Sequence, residues 1–196
     1  MVTSAFATAK ANVFPRSISA PIRRAHPIEI ALLGEIDDDA STLFAEAGID
    51  VDFPPDHEYT MYERHRWSAS LLAGTTLLAV DALRGPIGFA MLSRLDGHAY
   101  VEQLSVRRSA MGRGVGMRLL GAIAELAKAA GHGSIFLTTY GHLSWNRPFY
   151  ERNGFISIPD RACGPELARE LEMQRRWLPR PDQRIAMRRI LNDATG

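Results

Sequence analysis

Residues 99–140 constrain the fold most tightly. A strand-like run, 99–106, leads into Met111-Gly112-Arg113-Gly114-Val115-Gly116, then a helix-like run, 117–130, then a second strand-like run, 134–140. The helical run puts Leu119, Leu120, Ile123, Leu126, Ala127 and Ala130 on one broad face, as an amphipathic helix covering a sheet requires. Gly131 ends it. Strand, helix and strand in series imply a parallel pair joined by a right-handed crossover.

The glycines stand at alternate positions at the mouth of that helix. The first turn of a helix leaves backbone N–H groups unpaired, and the dipole adds partial positive charge there. Arg107, Arg108 and Arg113 add full charges nearby. A phosphorylated ligand is expected, against the plainer reading of a surface turn with a glycine-loosened helix start. Two nucleotide-binding patterns fail. A dinucleotide fingerprint needs glycine where Met117 stands, and an acid about 20 residues on, where 134–138 read Ser-Ile-Phe-Leu-Thr. A Walker A loop needs Gly-Lys-Ser/Thr, and the chain has Gly116-Met117-Arg118.

Around this unit the patterning predicts a strand near 20–24 and a helix from Pro27 to Ala47, with a break near Gly34. Asp37-Asp38-Asp39 reads as a solvated turn or cap cluster, since it lacks the glycine and distal glutamate of a calcium loop. Pro54-Pro55 closes a loop, and 57–72 reads as a second helix. Strands are expected over 75–82 and 86–94, with a hairpin turn at Asp96-Gly97. A helix over 165–177, with Leu167, Ala168 and Leu171 inward, precedes a final antiparallel strand over 184–190.

A chain of 196 residues is sized for one domain, here 20–196, after a flexible arm over 1–19. The 23 basic residues nearly match the 22 acidic ones, so no nucleic-acid partner is expected. Cys163 is the only cysteine, so no intrachain disulfide forms, and a reducing, cytoplasmic setting fits. No apolar run approaches the roughly 20 residues of a membrane span. The spacings of His57, His65 and His98 suggest no metal site.

The glycine turn resembles the (Gln/Arg)-x-x-Gly-x-(Gly/Ala) motif of the GNAT superfamily of N-acetyltransferases. Gly114 and Gly116 match the small positions, and Met111 stands where Gln or Arg is usual. The run from Asn146 through Tyr150-Glu151-Arg152-Asn153-Gly154-Phe155 resembles the family's late helix and its Tyr-x-x-x-Gly-Phe ending. Ile22-Arg23-Arg24-Ala25 and Ile87-Gly88-Phe89-Ala90 look like its first and third strands.

This resemblance implies an α/β (α+β) fold. Its sheet would be mixed and mostly antiparallel, six- to seven-stranded, with a central parallel pair that splays apart, flanked by helices. It implies acetyl-CoA as cosubstrate and no metal. Gln103, Leu104, Ser105 and Val106 would offer backbone contacts to the pantetheine arm. The pyrophosphate would rest on Gly112, Arg113, Gly114, Val115, Gly116 and Met117, next to Met111. The family often carries an asparagine seven residues before the tyrosine; Leu143 stands there, and Asn146 is the nearest substitute, or with Ser144 a helix cap.

Acetyl transfer to an amine requires a proton removed from the ammonium, an oxyanion stabilised and a thiolate protonated. Tyr150 matches the tyrosine that protonates the thiolate in many members. Glu102 is the candidate base, assigned by period two to the strand face of Leu104; His142 is its rival. The Leu104 N–H would meet the oxyanion. Tyr59, Tyr62, Trp67, Phe53 and Tyr140 are candidate lining of the acceptor pocket. The expected reaction is direct attack by a small primary amine in a ternary complex, in a protein that could pair as a homodimer. A non-catalytic acyl-CoA-binding module and a peptide or protein N-acetyltransferase are the alternatives.

Overall fold

The computed structural model describes residues 20–191, and the N-terminal arm expected over 1–19 lies outside them. The elements are β1 (Ile22–Arg24), α1 (Ile30–Glu46), α2 (Glu58–Leu72), β2 (Thr76–Asp81), β3 (Gly85–Leu95), β4 (His98–Val106), α3 (Val115–Ala129), β5 (Ser134–Tyr140), α4 (Arg147–Arg152), β6 (Ile156–Ile158), α5 (Pro165–Trp177) and β7 (Arg184–Ile190). They build one seven-stranded sheet in the order β1-β2-β3-β4-β5-β7-β6. Every neighbouring pair is antiparallel except β4–β5. This is the mixed sheet with a central parallel pair that the sequence leads one to expect.

One face carries α3, whose Leu119, Leu120 and Ile123 are fully buried against the sheet, with Phe149, Tyr150 and Phe155 from and after α4 alongside. The other face carries α1, α2 and α5. α1 runs through Gly34 without the expected break. Its fully buried Leu33 and Ile36 explain this. Burying such side chains contributes about 1.5–3 kcal/mol each, against the ~1 kcal/mol that a helical glycine costs. On α5 the inward stripe is Leu167, Glu170, Leu171 and Gln174, while Ala168 faces solvent, so the predicted stripe was right at two leucines and wrong at the alanine. β6 escaped the sequence reading because three residues with an exposed isoleucine carry no period.

Three local features position the site. First, β4 and β5 pair only at Ala99–Ile135 and Tyr100–Phe136, then part. Second, β4 bulges. Met91 faces Gln103 and Leu92 faces Val101, so Glu102 is the extra residue. Third, the β3–β4 turn reaches α5. Asp96 and Gly97 both take positive φ, 50° and 76°. The Asp96 carboxylate accepts the N–H groups of Glu166 and Leu167 at 2.9 and 3.0 Å, capping α5.

Candidate active site

The gap between β4 and β5 opens into a cavity of about 680 Å³. It runs from the glycine turn, past β4, to a wall built by α1, α2, α5 and the start of β7.

At the first end, Gly112 and Gly114 have φ of 70° and 82°, a backbone that side chains resist. Gly114 is the N-cap of α3 and offers no side chain to close it. The first intrahelical bond is Arg118 N–H to the Gly114 carbonyl at 3.1 Å. The N–H groups of Val115, Gly116 and Met117 therefore precede the ladder, and these residues line the cavity. Met111, Gly112 and Gly114 line it too, as do Leu104, Ser105, Val106 and Asn146; Arg113 does not. Asn146 occupies the N-cap of α4 without a side-chain cap bond. Two of the three arginines expected at this turn are committed elsewhere. Arg107 lies 3.7 Å from Glu35, and Arg108 donates to Glu46 at 2.7 Å, so they tie the turn to α1. The cradle is a backbone device.

The aspartate run is not a solvated cluster, because α1 presents two of its members to the sheet. Asp37 accepts from the Gln103 side chain at 2.6 Å and from the Ser105 hydroxyl, and Asp39 accepts the Arg108 N–H at 2.6 Å. Burial raises the Asp37 carboxyl above the usual carboxylate range, against those two bonds.

In the middle, Tyr150 lines the cavity between Phe149 and Phe155, with ring centroids 5.1 and 5.8 Å away. Burial pushes its phenol up to about 12, so it stays protonated at neutral pH.

The bulge overturns the assignment of Glu102 to the face of Leu104. Leu104 packs on the α3 side, whereas Glu102 and Gln103 both turn to the α1–α2 side. There the Glu102 carboxylate accepts from Arg66 Nε at 2.8 Å, from Arg66 Nη2 and from the Ser93 hydroxyl. Arg66 also bonds Glu170 and the Tyr62 hydroxyl, each at 2.5 Å. Burial raises the Glu102 carboxyl, with Arg66 and Ser93 pulling it back. A carboxylate whose oxygens are taken up by a guanidinium and a hydroxyl holds charge in place and has little capacity left to accept a proton.

Two charged groups at this end were not foreseen. Glu63, on α2, accepts from the Tyr59 hydroxyl at 2.8 Å, and burial pushes its carboxyl up to about 8, with Asp37 adding repulsion. Arg184, on β7, is 8% exposed and lies over the Tyr140 ring, its guanidinium carbon 4.7 Å from the centroid. Tyr59, Tyr62, Trp67 and Tyr140 are on the wall. Phe53 instead lines a neighbouring hollow and stacks on His57, the α2 N-cap. His142 is exposed, edge-on to Tyr140 and off the wall, so the structure does not bring it into the site.

The Glu63 proton gives a stability test. The folded protein keeps it up to about pH 8, while the unfolded chain releases it near the ordinary carboxylate value. The folded state therefore binds more protons between those values, and stability falls as pH rises through that window. Glu63→Gln removes this contribution. In thermal unfolding the variant should gain on the wild type from about pH 5 to about pH 8; a constant difference would show that Glu63 titrates normally.

A family model for the acetyltransferase (GNAT) family matches residues 41–155. The chain belongs to this family. Its fold is also that of solved structures. A GNAT-family acetyltransferase from Staphylococcus aureus Mu50 is 19% identical with a TM-score of 0.67, over 89% of this chain and 100% of that one. PaiA N-acetyltransferase from Thermoplasma acidophilum, solved in complex with coenzyme A, is 17% identical with a TM-score of 0.63, over 88% of this chain and 99% of that one. N-acetylglutamate synthase from Neisseria gonorrhoeae, solved with coenzyme A and N-acetyl-glutamate, is 18% identical with a TM-score of 0.63 over 91% of this chain. The chain spans about a third, 36%, of that synthase.

Proposed function

We propose that the protein transfers the acetyl group of acetyl-CoA to a primary amine of a small molecule. The observation that carries this is the continuity of one cavity from the uncapped N-terminus of α3 to the charged wall of α1, α2 and β7. The α3 end suits a pyrophosphate, the β4–β5 gap suits an extended pantetheine arm beside Leu104, Ser105 and Val106, and the far end suits a polar acceptor.

The amine nitrogen attacks the thioester carbonyl, a C–N bond forms, and the C–S bond breaks as the tetrahedral intermediate collapses. The Leu104 N–H is the donor proposed for the oxyanion. Tyr150 gives its phenolic proton to the departing thiolate, for which its pKa of about 12 keeps the proton available. The ammonium proton leaves to a carboxylate of the acceptor wall, and the second proton shed by the nitrogen as the amide forms restores the Tyr150 phenol. Glu102 was the first candidate, through a water; its engagement with Arg66 favours a role in fixing charge, and Glu63, raised to about 8, takes the proton in its ionised form, so turnover should rise with pH toward about 8.

Calorimetric titration of wild type and Gly114→Val with acetyl-CoA tests the donor half. The wild type should bind saturably. The variant should lose at least about tenfold in affinity, roughly 1.4 kcal/mol, because valine resists φ near 82° and its branches crowd the approach to the N–H groups. Equal binding by a folded variant would move the pyrophosphate off this turn. No binding by wild type up to about millimolar ligand would end the acetyl-CoA reading.

A further inference from the structure

The ionic groups of the acceptor wall do not pair off evenly. Asp37, Glu63, Glu102 and Glu170 face Arg66 and Arg184 there. Arg66 takes Glu102 and Glu170 together. Asp37 takes two neutral donors from β4. Among the described residues this leaves Glu63 and Arg184 without a direct ion pair, although the Arg184 charge reaches Glu63 across the cavity and partly offsets its burial.

Both have valence to spare. Arg184 spends only Nη2, on the Gln174 carbonyl oxygen and on Thr138 Oγ1 at 3.3 Å. Its Nε is fully enclosed and bonded to no described residue. Its Nη1 is likewise unbonded but is not enclosed, and the residue lines the cavity. The guanidinium is held firmly, stacked on Tyr140, whose hydroxyl donates to the Pro179 carbonyl at 2.7 Å. Glu63 has one oxygen on the Tyr59 hydroxyl and the other unbonded and not enclosed, and the residue lines both this cavity and the neighbouring hollow. A buried guanidinium with an open Nη1 recognises a carboxylate through a charge-assisted hydrogen bond. A carboxylate with a free oxygen recognises an ammonium. An unpaired guanidinium in a low-dielectric pocket costs free energy, and Glu63 avoids the same cost by holding its proton; an ammonium and a carboxylate on one ligand let both groups stand charged.

We propose that the acceptor is a free amino acid, its carboxylate received by Arg184 and its amine lodged against Glu63. This rests on the acetyl-transfer reading and adds to it the class of acceptor. Arg66 cannot take the carboxylate's place, because its N–H groups already serve Glu102, Glu170 and Tyr62. A simple alkylamine or a diamine would satisfy Glu63 and leave Arg184 unanswered.

The test uses the full chain. Acetyl-CoA binding is first established by calorimetry; its absence overturns the reading and the inference together. Thiol release from acetyl-CoA is then followed with the common L-amino acids, β-alanine and γ-aminobutyrate, each beside its carboxamide and its decarboxylated amine. The expected result is at least one amino acid whose kcat/KM exceeds that of its carboxamide and amine by at least about tenfold, the worth of one charge-assisted bond. In Arg184→Gln that preference should collapse toward one through KM, with acetyl-CoA affinity unchanged, and Arg184→Lys should restore part of it. If acetyl-CoA binds and carboxamides or amines serve as well as amino acids, or no amino acid is acetylated, the inference fails and the acetyl-transfer reading stands. The matched substrates probe the wild type, so an unstable variant does not blunt the test.

Discussion

Replacing Tyr150 with phenylalanine should lower kcat about 10²- to 10⁴-fold, the usual contribution of a positioned proton donor, and leave acetyl-CoA affinity unchanged. The phenol makes no hydrogen bond to a described residue, so its removal orphans no partner, and the ring keeps its edge contacts to Phe149 and Phe155. Steady-state kinetics with calorimetry of the same preparation separates the two effects. The loss should persist at all accessible pH, because a donor held at about 12 does not titrate in the working range. Unchanged turnover would remove Tyr150 from the chemistry and would suit a binding module, which needs the cradle and no proton donor.

The second large effect is on stability. Arg66→Met should destabilise the fold by about 3–5 kcal/mol at neutral pH, the cost of stranding buried charge. The guanidinium joins side chains that are nearly inaccessible, Glu102 at 6% and Glu170 at 5%. Denaturant unfolding measures the loss. Without Arg66 the Glu102 carboxyl, already raised by burial, should titrate higher still, so the variant should recover stability as pH falls, protonation sparing it the buried charge. Adding Glu102→Gln and Glu170→Gln should restore part of the loss at pH 7. A variant as stable as the wild type would show that water reaches the pair and screens it.

The glycine turn was legible in the sequence because its information is local. Gly112 and Gly114 specify backbone conformations, and the strand and helix around them were periodic enough to orient the turn. The acceptor half was not, for two physical reasons. A bulge is one residue of register, which an alternation rule applied along β4 cannot see, so Glu102 was placed on the wrong face. The charged contacts also join residues far apart in the chain: Arg66 pairs with Glu170, and Asp37 repels Glu63. A readable signal was nonetheless present. Leu33, Ile36, Asp37 and Ala40 on α1, Tyr59, Tyr62, Glu63 and Arg66 on α2, and Leu167, Glu170, Leu171 and Gln174 on α5 each follow i, i+3, i+4, i+7. In each stripe polar side chains occupy a face turned inward, which marks a helix looking onto a polar cavity.

The acceptor wall draws on two lengths of the chain: Tyr59, Tyr62, Glu63 and Arg66 lie inside the stretch that carries the family signature, and α5 and β7 lie beyond it. The cradle and Tyr150 fall within the stretch that carries the family signature, 41–155, whereas Glu170, Gln174 and Arg184 come after it. The later part of the wall can therefore change without touching the glycine turn: exchanging α5 and the start of β7 between relatives should alter what Arg184 and its neighbours accept while leaving the glycine turn as it is. Such a graft has one condition. The N-terminus of α5 is fastened by Asp96, at the tip of a hairpin that belongs to the donor half, so a transplanted helix keeps its aim only if that aspartate is there to meet it.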